Sequence, residues 1–312
     1  MNRVLVLLFC FLVNQYACQM INNEYGHALT ENPFFNEKYV RSLKLKSIIG
    51  TISSKKELGS IRNTSKKDAY IFDQNGNLTI HYLTTSSNSA GDTSFTFYEY
   101  NQENKNIIMR MSDPYGFYSY TKNYNNKGKL HNQIYSREKN ASNSKMNFNL
   151  DQRVVIFEES YLYEENDSIL IITTLNSNKR PYQEQTYYYN HLNYLAQIQT
   201  KLLISNKVKF ENYQYNDKGF LKSIQYFTNE NETPIKELRY DYDEWGNVTF
   251  MDEYKDNIRV IHKELLYDPS TLILKTILSH PLGLVTGSPN ISKNKLCVNS
   301  SYFSMSAFVF CL

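Results

Sequence analysis

The chain has 312 residues, and 34 basic against 31 acidic side chains leave a formal net charge of +3. This balance excludes both a strongly cationic protein that coats nucleic acid and an acidic disordered tail. Tyr, Phe and Trp make up 14% of the residues, and aromatic side chains favour half-buried strands. The composition therefore predicts a folded protein made mainly of β-strands.

The N-terminus has the pattern of a secretory signal. Arg3 precedes an apolar run from Val4 to Val13, and Ala17 and Cys18 follow it. A membrane-spanning helix needs roughly 20 apolar residues, and the chain has no run of that length. We therefore expect residues 1–18 to be a signal peptide and the mature chain to have no transmembrane span.

Cys18 leaves two alternatives open: plain cleavage by the general signal peptidase, or lipidation behind Ala17 as in a bacterial lipoprotein. We expect contact with a membrane only if Cys18 is lipidated. The next cysteines are Cys297 and Cys311. A disulfide framework and a metal site of paired cysteines are therefore excluded for the body of the chain.

A motif with a period of about 26 residues recurs along the chain. Its best copies are Tyr70 to Leu78, Tyr213 to Leu221 and Tyr240 to Val248. The aligned Asp, Asn or Glu lies at positions 73, 101, 125, 164, 190, 216, 243 and 268, at intervals of 28, 24, 39, 26, 26, 27 and 25. A spacing this regular indicates a repeated structural unit.

The motif predicts a β-hairpin with a bulged three-residue loop. A short Asp or Asn side chain hydrogen-bonds the backbone two residues further on, and Gly three residues later takes a positive φ. The residues expected to build these turns are Asp73, Gly76, Gly128, Asn216, Gly219, Asp243 and Gly246.

The hairpins are expected to carry a ladder of aromatic and aliphatic pairs on one face. The predicted pairs are Phe72 with Leu78, Tyr70 with Ile80, Tyr242 with Val248, Tyr240 with Phe250, and Tyr163 with Ile169. On the other face most pairs are polar, but Leu162 with Leu170 is apolar. We therefore expect the middle strands to be buried on both faces.

The pattern Tyr-x-Tyr-Asp-x-x-Gly-Asn followed by Leu or Val resembles the YD repeat of Rhs-type and teneurin-like surface proteins. The resemblance covers residues 70–275 and implies a long sheet of hairpins that winds into a shell or stacks as a spiral. The motif specifies hairpin geometry and no reaction. His280 stands where an Rhs core ends with the acid needed for self-cleavage, so we do not expect that activity here.

These patterns divide the chain into four parts. They are a signal peptide over 1–18, an N-terminal leader with one or two strands over 19–69, YD-like hairpin repeats over 70–275 and an irregular tail over 276–312. A closing strand in the tail is the alternative. The predicted fold class is all-β, with consecutive hairpins in one large curved antiparallel sheet.

Chemistry-bearing motifs are sparse. We find no nucleophile elbow, phosphate-binding loop or paired-histidine motif, and we expect no catalytic residue, cofactor or metal. Asp241 and Asp243 match a cation-binding Asp-x-Asp pattern, but Asp243 is also a turn residue of the repeat. Two explanations account equally for Glu158, Glu159, Glu164 and Glu165: a glycosidase-like carboxylate pair, or a charged strand edge that prevents pairing.

The leading interpretation is an exported, non-enzymatic binding or scaffold protein, secreted or held in the cell envelope. Its expected partner is a protein or a glycan and not nucleic acid, since exposed tyrosines such as Tyr188 suit either. The alternative is a periplasmic carrier of a lipid or another apolar ligand, held on a concave face centred on Leu162, Leu170 and Ile172. A hydrolase in the acidic segment is a third hypothesis.

The chain also contains eight Asn-x-Ser/Thr sequons, at Asn63, Asn77, Asn140, Asn166, Asn231, Asn247, Asn290 and Asn299. In a eukaryotic secretory pathway some of them would be glycosylated. In a bacterium they are by-products of a chain rich in Asn, and we favour this second interpretation.

Overall fold

The structure, a computed structural model, describes residues 19–30, 32–56, 59–84, 93–113, 116–229, 232–281 and 302–311, with the backbone alone for Lys56 and for 302–311. The predicted signal peptide, Cys18 and Cys297 lie outside the described residues. The described part contains one helix, α1 (Glu37–Ser42), and eighteen strands. The strands are β1 (Ser47–Lys56), β2 (Arg62–Phe72), β3 (Leu78–Thr84), β4 (Thr93–Tyr100), β5 (Asn106–Asp113), β6 (Gly116–Tyr124), β7 (Leu130–Asn140), β8 (Leu150–Glu165), β9 (Ile169–Leu175), β10 (Pro181–Tyr189), β11 (Leu195–Leu202), β12 (Val208–Tyr215), β13 (Leu221–Thr228), β14 (Lys236–Tyr242), β15 (Val248–Lys255), β16 (Ile258–Tyr267), β17 (Leu274–Pro281) and β18 (Tyr302–Cys311).

The strands lie in the sheet in chain order, and every pairing is antiparallel. β18 pairs with both β17 and β1, so the sheet curves until its two ends share a neighbour. The predicted all-β class, with consecutive hairpins in one curved antiparallel sheet, is confirmed. The tail is not irregular throughout, because its run from Ser304 to Phe310 lies within the strand β18.

Each repeat turn connects an even-numbered strand to the next odd-numbered one, so all of these turns lie at one end of the sheet, which we call the turn end. Asp243 shows how such a turn is built. Its N–H donates to the carbonyl of Asn247 at 3.0 Å, and the Gly246 N–H donates back to the Asp243 carbonyl at 3.2 Å. Gly246 has a φ of +84°, in the region that favours glycine.

The Asp243 carboxylate completes this turn with more hydrogen bonds than the motif alone predicts. Oδ1 accepts from the backbone N–H groups of Trp245 and Asn247 at 2.9 and 2.8 Å, and Oδ2 accepts from Asn247 Nδ2 at 3.0 Å. Asp73 and Asn77 repeat the arrangement in the first hairpin. The Asn after the glycine is therefore a buried part of the turn, with no exposed surface at either position.

In the regular hairpins, the predicted cross-strand register is correct for the pair next to the turn and wrong for the pairs beyond it. Tyr70 lies opposite His81 rather than Ile80, and Tyr240 lies opposite Met251 rather than Phe250. The cause is a bulge beside the turn, where the second strand carries one extra residue. Periodicity alone cannot locate that residue, since a bulge leaves the apolar pattern on each side intact.

The hairpin between β8 and β9 departs further from the predicted alignment. Its turn begins at Asn166 rather than at Glu164: the Asn166 N–H donates to the Ile169 carbonyl at 2.9 Å, and Asn166 Oδ1 accepts from the Ser168 N–H at 3.2 Å. A short Asn side chain reaches that N–H, which explains why the turn begins at Asn166 and not at Glu164. Tyr163 consequently lies opposite Ile172 instead of Ile169.

Neighbouring repeats are joined by a row of tyrosine hydroxyls. In six hairpins, a tyrosine at or near the end of the first strand donates to the carbonyl of the first residue in the second strand of the preceding hairpin. The bonds run from Tyr100 to Leu78, Tyr124 to Asn106, Tyr163 to Leu130, Tyr215 to Leu195, Tyr242 to Leu221 and Tyr267 to Val248, at 2.6 to 2.9 Å. The first hairpin has no preceding hairpin, and it carries Phe72 at this position.

We expect Tyr242→Phe to destabilise the protein by about 1 kcal/mol, because it leaves the Leu221 carbonyl and Asn23 Nδ2 without this hydroxyl. Tyr188→Phe is the matched control, since the described structure gives its hydroxyl no hydrogen bond, and its cost should be close to zero. Urea unfolding measures both. Equal stabilities of the two variants would show that the hydroxyl row contributes nothing.

The N-terminal segment, residues 19–46, packs across the sheet face that carries Tyr70, Tyr240 and Tyr242, which we call the tyrosine face. Met20, Ile21, Val40 and Leu45 are at most 2% exposed and form one core with apolar residues of β2, β13, β14 and β16. Asn36 caps the N-terminus of α1, because its Oδ1 accepts from the N–H groups of Lys38 and Tyr39.

Two long-range bonds fix this segment at the turn end. Asn23 Nδ2 donates to the Tyr242 hydroxyl, and the Tyr39 hydroxyl donates to the Thr271 carbonyl, each at 2.9 Å. Phe35 meets the Tyr70 ring edge-on, with 4.9 Å between centroids. The segment therefore ties strands from the first hairpin to strands from the last ones, and it defines the walls of the cavity described next.

Candidate functional site

A cavity of about 620 Å³ lies at the turn end, between the N-terminal segment and the ends of β10 to β14. We call it the turn-end cavity. Its size is in the range of small-molecule sites in proteins. Eight of its lining residues are aromatic: Tyr25, Phe35, Phe72, Tyr189, Tyr194, Tyr215, Phe220 and Tyr242.

Two stacked ring pairs form part of the wall. Tyr194 lies over Tyr215 with 4.8 Å between centroids, and Phe220 lies over Tyr242 with 5.0 Å. Tyr194 is 38% exposed and Tyr25, from the N-terminal segment, is 49% exposed, so both rings remain accessible to a ligand. Gly219 permits this arrangement, because a Cβ there would stand 2.5 Å from the Tyr194 hydroxyl.

The cavity is nearly neutral. Its ionisable lining groups other than tyrosine are Glu24, Glu37, Lys38 and Lys218, two of each sign. Burial raises the pKa of Tyr215 to about 12, and it also raises the pKa of Tyr25, so these phenols stay protonated in physiological conditions. Burial and the nearby Asp73 carboxylate raise the pKa of Glu37.

Amide side chains supply the remaining polar surface, from Gln19, Asn22, Asn23, Asn36 and Asn193. Amides donate and accept hydrogen bonds at once, as do phenol hydroxyls. Aromatic faces with amides around them suit a ligand that has apolar ring faces and hydroxyl edges. A neutral saccharide has both.

The predicted turn residues contribute unequally to this site. Gly76 and Gly219 line the cavity, whereas Gly128 lies on a different hairpin, beside Lys105. Sequence reasoning did not find the tyrosines of the cavity wall as a group. The one available signal was the run Tyr187, Tyr188 and Tyr189 together with Tyr194, and nothing in the sequence places Tyr25 beside them.

The apolar centre expected for a carrier is not assembled. Leu162 stands between Tyr161 and Tyr163 on β8, so it points away from the tyrosine face and is 53% exposed. Ile172 lies opposite Tyr163, so Ile172 and Leu170 are on the tyrosine face instead. The prediction of middle strands buried on both faces fails for the same reason, because the register places Leu162 opposite Thr173 and not Leu170.

The four acidic residues of β8 do not form a carboxylate pair. Glu158 and Glu164 point to one face and Glu159 and Glu165 to the other. Two acids on one face are six residues apart, about 20 Å, whereas glycosidase pairs are separated by about 5 to 9.5 Å. Glu158 also bonds Lys179 at 3.1 Å, which lowers its pKa.

Among the described residues, no three His, Cys, Asp or Glu side chains come together as a metal site would require. Asp243 of the Asp-x-Asp pattern already accepts three hydrogen bonds within its own turn. In the same part of the chain, no helix is both long and apolar enough to cross a membrane.

Comparisons with known proteins name no family for this chain. No family model and no curated protein matches it. Among solved structures, a porin-like protein from Bacteroides uniformis matches 86% of this chain and 96% of its own length at 9% identity, with a TM-score of 0.32. A porin-like protein from Bacteroides vulgatus matches 70% and 98% at 10% identity, with a TM-score of 0.37.

A third match is the TcdB2-TccC3-Cdc42 structure, which covers 79% of this chain and 18% of its own at 12% identity and a TM-score of 0.26. Likenesses this distant carry no argument about activity. Membership of the YD-repeat family, and a place in the cell envelope, therefore stay predictions.

Proposed function

We propose that this chain is an exported, non-enzymatic binding protein, secreted or held in the cell envelope, whose hairpin sheet positions a glycan site in the turn-end cavity. The observation that carries the proposal is the wall of this cavity, in which the half-exposed rings of Tyr25 and Tyr194 stand among amide side chains. The balanced charges of the same wall favour a neutral saccharide over a charged one.

The sheet acts as a scaffold because its hairpins hold side chains that line the cavity. Tyr194 and Tyr215 come from neighbouring hairpins, and Tyr25 reaches them from a segment fixed by bonds to Tyr242 and Thr271. A non-enzymatic role is supported by the separation of the β8 acids, which removes the one carboxylate pair that the sequence offered.

Glycan-array binding followed by titration calorimetry tests this function. We expect the mature protein to bind at least one neutral oligosaccharide, and we expect Tyr194→Ala to weaken that binding about tenfold or more through the lost ring contact. Tyr25→Ala should act in the same direction.

Leu192→Ala is the matched control. Leu192 belongs to the same turn as Tyr194 and is 63% exposed, but it does not line the cavity, so its loss should leave affinity unchanged. Thermal unfolding of each variant checks that the fold persists. An array without any bound glycan, or full affinity in the Tyr194 and Tyr25 variants, would overturn the proposal.

A further inference from the structure

β8 has a long stretch of unpaired edge. Its first edge pairs with β7 from Leu150 to Ser160, but its second edge pairs with β9 only from Ser160 to Glu165. The pairing on this second edge stops at Glu158, where a side chain replaces the neighbouring strand. Ser177 Oγ accepts from the Glu158 N–H at 3.0 Å and donates to the Glu158 carbonyl at 3.2 Å. From Leu150 to Phe157, no strand of the described chain covers this edge.

The unpaired stretch is apolar. Val154, Val155, Ile156 and Phe157 are 53%, 57%, 49% and 38% exposed. Proteins usually protect a free edge with charged residues, with proline or by keeping the strand short. Here the acids that were expected to protect the edge, Glu164 and Glu165, lie where β8 is already paired with β9.

A charged residue of opposite sign stands at each end of the apolar run. Arg153 lies opposite Glu138 of β7, and Glu158 lies opposite Ile134. The bulge between Val155 and Phe157 brings Arg153 and Glu158 to the same face of the sheet, although five positions separate them. Two antiparallel copies of the run therefore place each charged end beside the end of opposite charge in the other copy.

Arg153 has no carboxylate partner among the described residues. Its guanidinium donates to the hydroxyls of Ser136 and Thr121, at 3.0 and 2.9 Å. Glu158 pairs with Lys179, whose side chain is 58% exposed, so a second cation can still approach the carboxylate. Arg153 is thus free to meet an opposite charge, and the Glu158 side chain, which is 34% exposed, can accept a second cation beside Lys179.

We propose that the free edge of β8 pairs antiparallel with the same edge of a second copy of this chain. A two-fold axis perpendicular to the sheet keeps the same face on the same side, so Arg153 of each copy lies opposite Glu158 of the other. The same register places Val154 opposite Phe157 and Val155 opposite Ile156, which are favourable cross-strand pairs.

Since Ser177 holds the backbone of Glu158, the two strands pair over about four residues of each copy, Val154 to Phe157, and Arg153 meets Glu158 through side chains only. The contact therefore belongs to the small class of interfaces, and we expect a reversible dimer with a dissociation constant in the micromolar range. It lies in the part of β8 that extends away from the turn end. Pairing therefore leaves the turn-end cavity open, and the two proposals stand or fall separately.

Sedimentation velocity of the mature protein tests the dimer, over about 1 to 100 µM. We expect a concentration-dependent dimer that Arg153→Glu weakens at least tenfold, because like charges then face each other. Glu158→Arg should do the same, and the double exchange should restore pairing. Val155→Lys, which places a charge in the middle of the edge, should leave only monomer.

Ile204→Lys is the control, since Ile204 is 86% exposed on a different connection and its change should not affect the dimer. Circular dichroism verifies that each variant keeps its strands. A protein that stays monomeric throughout the range overturns the proposal. So do open-ended aggregates, a dimer indifferent to Arg153→Glu and Val155→Lys, or a double exchange that fails to restore pairing.

Discussion

Gly76→Ala is expected to destabilise the protein by about 3 kcal/mol or more, well above the same change at other turns of the repeat. Gly76 has a φ of +86°, where a side chain costs about 1 kcal/mol on its own. A Cβ at this position would also overlap the Glu37 carbonyl oxygen and stand 3.1 Å from the Arg41 backbone nitrogen. Backbone atoms of α1 cannot move aside without disturbing the core formed by Val40 and Leu45.

The same substitution at two other glycines distinguishes the cost of the positive φ from the cost of the clash with α1. Gly246 and Gly128 have φ angles of +84° and +74°. A Cβ at Gly246 would overlap the Gln19 side-chain amide and stand 2.5 Å from the Phe220 ring. Both side chains can shift, so we expect Gly246→Ala to cost about 2 kcal/mol. At Gly128 the nearest atom is the flexible Lys105 ammonium, and the expected cost is about 1 kcal/mol.

Urea unfolding of the three alanine variants measures this series. The expected order of destabilisation is Gly76, then Gly246, then Gly128. Three equal costs would mean that only the positive φ matters and that α1 does not press on the first turn. A stable Gly76 variant would contradict the packing of the N-terminal segment itself.

The hairpins of this fold were predictable because their turns are encoded over five residues. Asp73 and Gly76 act on backbone groups at most four positions away, so the sequence pattern contains the whole interaction. The register was not predictable, because the bulge beside every repeat turn except that between β8 and β9 shifts the later pairs by one residue. Tyr70 therefore pairs with His81 although the apolar alternation favours Ile80.

The candidate site depends on contacts between residues far apart in the sequence. Tyr25 lines the same cavity as Tyr215 on a segment that Asn23 ties to Tyr242, more than 200 positions further along the chain. No local pattern encodes such a contact, and the N-terminal segment has no periodicity of its own. The row of tyrosine hydroxyls did leave a signal, since the repeat uses Tyr where Phe would supply the same apolar area, and Phe72 is the exception that lacks a preceding hairpin.

Production through a eukaryotic secretory pathway is expected to prevent folding, because two sequons have their asparagine buried inside a turn. Asn77 and Asn247 have no exposed surface. Their Nδ2 atoms donate to Asp73 and Asp243 at 2.9 and 3.0 Å. N-glycosylation attaches a bulky sugar to this nitrogen, so a modified chain cannot close either turn.

Removing both sequons without touching the asparagines tests this expectation. Thr79→Val with Thr249→Val keeps the side-chain shape and costs about 1 kcal/mol for the lost bond from Thr79 to the Ile71 carbonyl. We expect this double variant to be secreted in folded form by eukaryotic cells, while the parent is retained. Ser168→Ala is the control: it removes the sequon of the exposed Asn166 and should rescue nothing.

Mass spectrometry of the secreted protein decides the outcome, together with its unfolding curve. A folded parent that carries glycans on Asn77 or Asn247 would contradict the buried position of the two asparagines. The sequon in these two turns arises from the turn motif itself, in which Thr follows Gly-Asn and an apolar residue. The experiment therefore shows whether this motif can form its turn where nascent asparagines are glycosylated.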